Sequence, residues 1–462
     1  MKARSYEIDM CSGSIFPKIL AFSIPLMISS ILQLLFNAAD MVVVGRFAGS
    51  TALAAVGANA SLINLLTNLF IGFSVGANVM VAQFYGARKE QEMGETVHSS
   101  LVLSFVCGVI LLVIGILAAP EILILMGTPQ DVLSQAVLYI RIYFAGMPVI
   151  LLYNFGSSIL RAVGDTRRPL YYLLAAGVIN IILNLIFVIG FKMGVAGVAL
   201  ATVISQCVSA ALILRCMMHM EGGCQVRLSK LSMKRDKVFQ IMRIGFPAGL
   251  QGTVFSLSNV LIQSSVNSFG SVAMAGNTAA SNIEGFIYMA MNSYHQTALS
   301  FTSQNFGAGN YKRIVKVLLE CFATVTVVGL SMGWASYWLG NQLLGIYSSD
   351  PQIIEVGMLR LSVICTTYCL CGIMEVLVGG LRGIGSAVLP MVVSLLGACG
   401  FRIIWIFTVF SRHRSLWVLY VSYPVSWTLT ALVHTICFMI VFSAHKRRAR
   451  EGMRMGEQRT KS

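Results

Sequence analysis

Charge is what this chain most lacks. Of its 462 residues, 11% are charged and 56% hydrophobic, and the mean hydropathy is +0.78. Soluble domains carry roughly 25% charged residues. A chain this long with so little charge cannot cover a water-facing surface, which excludes an ordinary globular enzyme and a disordered chain. The cysteines give no disulfide scaffold: they number eleven, an odd count, and are scattered through apolar stretches, as at Cys107, Cys207 and Cys437. They read as small apolar side chains. Cys365, Cys369 and Cys371 lie close together, but their spacing is not that of a zinc site and no His or acidic cluster is near in sequence. Packing is expected there, with no metal. The P-loop, HExxH and G-x-S-x-G signatures are also absent. Any uphill work is therefore expected to draw on an ion gradient, without a cofactor and without enzymatic turnover. Residues Met1 to Ser14 lack the basic, apolar and small-residue regions of a signal peptide, so the first apolar segment is expected to be a retained helix. A polytopic membrane protein remains.

A helix of about 20 apolar residues crosses a bilayer. Twelve such spans are predicted, near 17–43, 52–84, 95–119, 133–160, 169–190, 194–217, 238–266, 273–307, 314–340, 356–382, 390–410 and 416–444. Barrel-type alternation is absent, so the expected class is an all-α polytopic membrane protein. Turn residues punctuate the spans, as at Gly127-Thr128-Pro129, Gly164-Asp165-Thr166 and Ser349-Asp350-Pro351.

The net charge of +15 then becomes an orientation signal. With both ends on one side, that side receives 26 of the 33 basic residues. The exceptions are Arg46, Arg141, Lys192, Arg360, Arg402, Arg412 and Arg414. The positive-inside rule places both termini in the cytoplasm, and no nucleic acid is needed to explain the charge. The basic tail from His445 to Lys461 is read as solvated, with contact to anionic headgroups as the alternative.

The chain also repeats itself. LRAVGDTRRP from Leu160 and LRGIGSAVLP from Leu381 share Leu, Arg, Gly and Pro at an offset of 221. The same offset aligns GSTALA from Gly49 with GSVAMA from Gly270, and QFYGA from Gln83 with QNFGA from Gln304. Pro25 and Asn37 match Pro247 and Asn259 at 222. Such a repeat holds six spans, an even number, so its copies are parallel, as in two-lobed carriers that work by alternating access. The expected organisation is a lobe over 1–220, a cytoplasmic linker over 221–237, a second lobe over 238–445 and a basic cytoplasmic tail over 446–462.

Several segments together carry a resemblance. They are IPLMISSILQLLFNAADMVVVGRFAG in the first span, AGNTAASNIEGF and SQNFGAGN in the second repeat, GVINIILNLIFV in the fifth span and GVAGVALATVISQ in the sixth. With the paired Leu-Arg-x-x-Gly…Pro loops, they make residues 15 to 445 resemble the multidrug and toxic compound extrusion (MATE) family of secondary transporters. The resemblance implies twelve helices in two lobes and export of amphipathic, often cationic small molecules in exchange for H⁺ or Na⁺. A monomer in the plasma membrane is expected. A lipid or lipid-linked oligosaccharide flippase of related architecture is the alternative, although intramembrane basic residues are few. A membrane-embedded enzyme is a third reading, for which no catalytic cluster is visible in the sequence.

Asp40 is the principal candidate for coupling. A membrane carboxylate is costly and marks an ion path unless it sits at the interface, here near Arg46. Asn180 and Asn184 are spaced i, i+4 and share a face of the fifth span, and Thr202 lies on the sixth. The family resemblance implies a cation or proton pocket of Asp40, Asn180, Asn184 and Thr202, with Na⁺ at Asp40 as the one metal considered. Some members place a second acid where Asn184 stands. Helix–helix hydrogen bonding is the plainer role for the asparagines.

The second-lobe proton or substrate candidates are Glu284, Glu375 and Arg402. The repeat pairs Asp40 with Ile262 and Asn154 with Glu375, so the first-lobe acid is not duplicated. In one branch of the family, acids fall near Ser256 and Cys371, and Glu375 is one turn beyond the latter. Arg402 needs a partner, for which Glu375 or Glu284 is expected. Arg161 and Arg382 are expected to be architectural, and His295 and His434 to be packed core. Met27, Met80, Met147, Met274, Met289 and Met291 are candidates for an adaptable drug cavity as well as for plain core.

Overall fold

A computed structural model of the chain describes residues 6–461, apart from the side chains at 61, 65 and 452–461. Lys2 and Arg4, and the side chains of Arg454, Arg459 and Lys461, all part of the charge count above, lie outside the described residues.

Every long element is a helix, because inside a bilayer each backbone N–H and C=O must find its partner within the segment. The first repeat comprises α1 (Phe16–Phe47), α2 (Ser50–Gly86), α3 (Glu90–Leu125), α4 (Gln130–Ala145, continued past a 49° bend by Met147–Ala162), α5 (Arg167–Gly190) and α6 (Gly194–Met218). The second comprises α7 (Arg235–Asn267), α8 (Ser271–Gly307), α9 (Tyr311–Trp338), α10 (Pro351–Gly383), α11 (Val388–Phe410) and α12 (Leu416–Lys461). Among the described residues, nine helices are long and apolar enough to span a membrane, and the bent α4 makes ten. The repeat brings in the more polar α7 and α8 as the counterparts of α1 and α2, completing twelve. Large apolar side chains such as Leu117, Val327, Leu396 and Phe407 face outward, as lipid contact requires.

The two copies fold in the same register. Both limits of α8 lie 221 residues beyond those of α2. The turn glycines repeat too: Gly164 and Gly385 have φ of 95° and 87°. This left-handed backbone is one that a residue with a Cβ adopts only with strain. At Gly164 space is also closed, since a Cβ there would come within 2.4 Å of the Ile8 carbonyl oxygen. Beside it, Asp165 accepts from the N–H groups of Arg167 and Arg168 at 3.1 and 3.0 Å and caps α5. Burial pushes its carboxyl above the usual range, while those N–H groups and the Arg168 guanidinium pull it back.

Two compact units emerge: the N-terminal segment through Asp9 with Leu20–Thr253, and Met10–Ile19 with Val254–Ser462. The first half of α7 therefore packs in the first unit. The reason is a close crossing with α2, where a Cβ on Gly72 would stand 2.3 Å from the Gly249 nitrogen. In the second unit the Met10 carbonyl accepts from Asn305 Nδ2 at 3.1 Å and Arg313 Nε at 2.9 Å.

The segment between the repeats is pinned to the start of α3. Glu90 accepts from the Gly223 N–H, and Lys237 pairs with Glu92. The Arg227 N–H donates to His98 Nε2 at 3.1 Å. A polar cavity of about 720 Å³ lies there, lined by residues that include Glu95, His98 and Lys234. At the other end, the basic tail continues α12 as helix to Lys461.

Candidate functional site

Four residues from three helices converge in the first lobe. Asp40 lies in the C-terminal part of α1. Asn180 and Asn184 lie one turn apart on α5, and Thr202 on α6. Asn184 Nδ2 donates to Asp40 Oδ1 at 2.5 Å and reaches Asn180 Oδ1 at 3.2 Å. Asn180 Nδ2 in turn donates to Thr202 Oγ1 at 3.4 Å, and Thr202 donates to the Val198 carbonyl at 3.0 Å. Asn184 thus donates two ways, to the Asp40 carboxylate and into a chain that runs through Asn180 and Thr202 to the Val198 carbonyl. Directly after Asn184 the helix widens into a π-helical stretch, Leu185–Gly190. Such insertions occur frequently at functional sites.

Asn180 and Asn184 are buried, and Asn184 Oδ1 has no hydrogen-bond partner among the described residues. A sealed acceptor beside a carboxylate, with further amide and hydroxyl oxygens, is a donor set suited to a hard cation or to a proton on the acid. Among the described residues, Asp40 makes no ion pair with Arg46. Tyr139 and Tyr143, stacked on α4 with ring centres 6.1 Å apart, are close enough to feel the Asp40 charge. Sequence reading missed them, although their i, i+4 spacing within an apolar span was a signal.

The second lobe is built differently. Glu284 accepts from Arg360 Nε at 3.0 Å and Nη2 at 2.6 Å, and from the Tyr368 hydroxyl at 3.3 Å. Arg360 Nη1 donates to Asn277 Oδ1 at 2.7 Å, which also accepts from the Tyr420 hydroxyl. Arg360 went unread as a site residue, though a basic residue inside a span on the wrong side of the charge bias was a visible sign. It occupies the position that pairs with Tyr139 at offset 221.

Glu375 belongs to a separate network. His295 Nδ1 lies 3.1 Å from Glu375 Oε2, and Arg382 Nη1 lies 3.4 Å from His295 Nε2. His295 is therefore more than inert core. His434 is fully buried against Ser394 Oγ at 3.0 Å.

The expected pairing of Arg402 with Glu375 or Glu284 is corrected by this geometry. Both acids are engaged elsewhere, and no carboxylate among the described residues pairs with Arg402. Its Nε donates to Ser426 Oγ at 2.9 Å, and its guanidinium lies 4.0 Å from the Tyr423 ring centre and 5.7 Å from that of Trp427. Arg161 donates to Ser158 Oγ at 2.7 Å, within its own helix. Of the methionines, Met147 and Met291 are fully buried, whereas Met274 is 39% exposed. Cys365 and Cys371 are buried, and no cluster of three or more His, Cys, Asp or Glu able to hold a metal occurs among the described residues.

Comparison with known proteins places this architecture. The MatE family model matches twice, over residues 25–186 and 247–408. The chain belongs to the MATE family. Both matches fall inside the two repeats, as the internal symmetry requires. The chain is 29% identical over 429 residues to a protein from Bacillus subtilis named probable multidrug resistance protein YoeA, covering 91% of this chain and 92% of that one. It is 26% identical to the probable multidrug resistance protein NorM of Thermotoga maritima, covering 82% of each. Among solved structures, an outward-facing MATE transporter of the MOP superfamily superposes with a TM-score of 0.88 at 22% identity, covering 95% of this chain and 98% of that one. A MOP superfamily transporter from Pyrococcus furiosus gives 0.89 at 22% identity, with 96% and 99% covered. This MATE protein is thus a multi-pass membrane transporter, not an enzyme.

Proposed function

We propose that this transporter exports amphipathic, often cationic small molecules in exchange for H⁺ or Na⁺, by alternating access between its two lobes. The names of its relatives, multidrug resistance and multidrug export proteins, support the substrate class. The observation that carries the coupling role is the Asp40 carboxylate held by the Asn184 amide, with Asn180 and Thr202 behind it.

The chemistry follows from that arrangement. While Asp40 is charged, it orients the Asn184 N–H toward itself and leaves Asn184 Oδ1 unused. A proton converts the acid into a donor, which favours turning the amide so that Oδ1 accepts. Na⁺ would instead take the Asp40 and amide oxygens together. Either event removes the charge and rearranges the same chain through α5 and α6. Coupling requires that ion and substrate differ in affinity between two states. Loading from outside and discharge to the cytoplasm, the side holding both termini, complete the cycle.

The lobes in this reading are 1–220 and 238–445, joined by the 221–237 linker and followed by the 446–462 tail. The protein works as a monomer in the plasma membrane. The test is efflux from proteoliposomes under separately imposed pH and Na⁺ gradients. Wild-type protein is expected to respond to one gradient and Asp40→Asn to neither; full ion-driven transport by Asp40→Asn would overturn the role of Asp40.

A further inference from the structure

Two buried arginines flank one ring in the second lobe, and they are satisfied to very different degrees. Arg360 lies 5.5 Å from the Tyr423 ring centre and Arg402 lies 4.0 Å from it. All three guanidinium nitrogens of Arg360 are engaged, by Glu284 and Asn277. Its charge is neutralised by Glu284 at 2.6 Å. Arg402 is equally buried, at 4% exposure, yet only Nε has an acceptor, the Ser426 hydroxyl. Its two terminal amino groups have no protein partner among the described residues.

A guanidinium carries its charge permanently, and burying one without an anion is costly. Stacking on Tyr423 and Trp427 offsets part of that cost. It leaves one positive charge and a planar pair of N–H donors unused. The free edge has the geometry that receives a carboxylate through two parallel hydrogen bonds. Tyr368 and Trp427, with ring centres 5.0 Å apart, supply an aromatic wall beside it.

We infer that Arg402 is the anchor for the carboxylate of an amphipathic aromatic substrate, so that the second lobe accepts zwitterionic or anionic molecules. The inference rests on the export reading above and adds a substrate class to it. Ser426 and Tyr423 act as positioning residues: the hydroxyl fixes Nε, and the ring holds the guanidinium plane.

The test uses the full-length protein in nanodiscs of zwitterionic lipid. The probes are a fluorescent zwitterionic quinolone carboxylate and its methyl ester, which keeps the ring and the ammonium. Wild-type protein is expected to prefer the acid. Arg402→Gln should reduce the acid-to-ester affinity ratio about 10- to 100-fold, the loss expected for hydrogen bonds to a charged group. Ester affinity should stay constant. Arg402→Lys should retain only part of the preference, since a point charge lacks the fork. If Arg402→Gln folds poorly, competition on wild-type protein by 2-naphthoate against 2-naphthamide reads the same preference, and only the naphthoate is expected to displace the probe.

Equal binding of acid and ester, no binding of the acid, or an unchanged ratio in Arg402→Gln would each overturn the inference. So would loss of the preference on adding phosphatidylglycerol at constant ionic strength, because a lipid headgroup would then own the site. Export of a lipophilic cation from proteoliposomes separates the two levels. If that export persists while the acid preference is missing, the anchor fails and the export reading stands; if it is absent as well, the export reading fails.

Discussion

The two lobes share a backbone plan and carry opposite charge at their centres. In the first, Asp40 is held by one amide, with a second amide and a hydroxyl behind it. In the second, its counterpart is Ile262, while Arg402, whose first-lobe counterpart is Ile181, is paired with no acid among the described residues. The exchange is reciprocal: an acid facing an isoleucine, and an arginine facing an isoleucine. Duplication therefore preserved helix limits and turn geometry, which the backbone demands. The polar centres were free to diverge because only a few inward positions carry them. In the proposed reading the coupling chemistry belongs to the first lobe, while the second has the groups to hold an ion pair and one further cation.

That contrast can be broken most severely at Asp40. Asp40→Asn should reduce ion-driven efflux to background while the protein still folds, read by transport and melting temperature in parallel. Moving the acid across should not help: Asp40→Asn combined with Ile262→Asp is expected to stay inactive. The positions equivalent to Asn180 and Asn184 are Phe401 and Trp405, so a carboxylate at 262 meets no amides. Restored transport in that double variant would mean that the lobes are interchangeable.

Next in size is the second-lobe ion pair. Glu284→Ala leaves Arg360 buried without its anion, at a cost of about 3–5 kcal/mol for a broken buried pair. A fall in melting temperature in detergent checks it, and Glu284→Gln should fall less because it still accepts hydrogen bonds. A smaller effect is expected at Asn184. Asn184→Ala removes a hydrogen bond to a charged group, worth about 1.5–3 kcal/mol. It should shift the ion concentration for half-maximal efflux about tenfold or more, whereas Thr202→Val, one link further from Asp40, should shift it less. A larger effect at Thr202 than at Asn184 would reverse the order of the chain.

Much of the fold was legible because it is set by short-range rules. Apolar length marks helices, and the offset of 221 recurs in both the sequence and the helix limits. The limits moved outward by a few residues, as at α3, where a predicted 95–119 became Glu90–Leu125. The polar start of that helix carries Glu90, Glu92 and Glu95, which hold the linker in water and so escaped a hydropathy reading. Asp40, Asn180, Asn184 and Thr202 were found as residue types in the right spans. The reach of Asn184 to Asp40 crosses 144 residues and needed the folded chain.

What the sequence determined by itself, then, was the membrane environment, the helical class, the repeat and the place of Asp40 within the first span. Each follows from local hydropathy or from identity at a fixed spacing. Only tertiary structure decided how the charges in the second lobe divide. Glu284 takes Arg360 from 76 residues away, the Glu375 carboxylate takes His295 from 80, and Arg402 is left with a hydroxyl and two rings. Partner choice among buried charges depends on which helix faces are packed together and at what distance. No spacing along the chain encodes that.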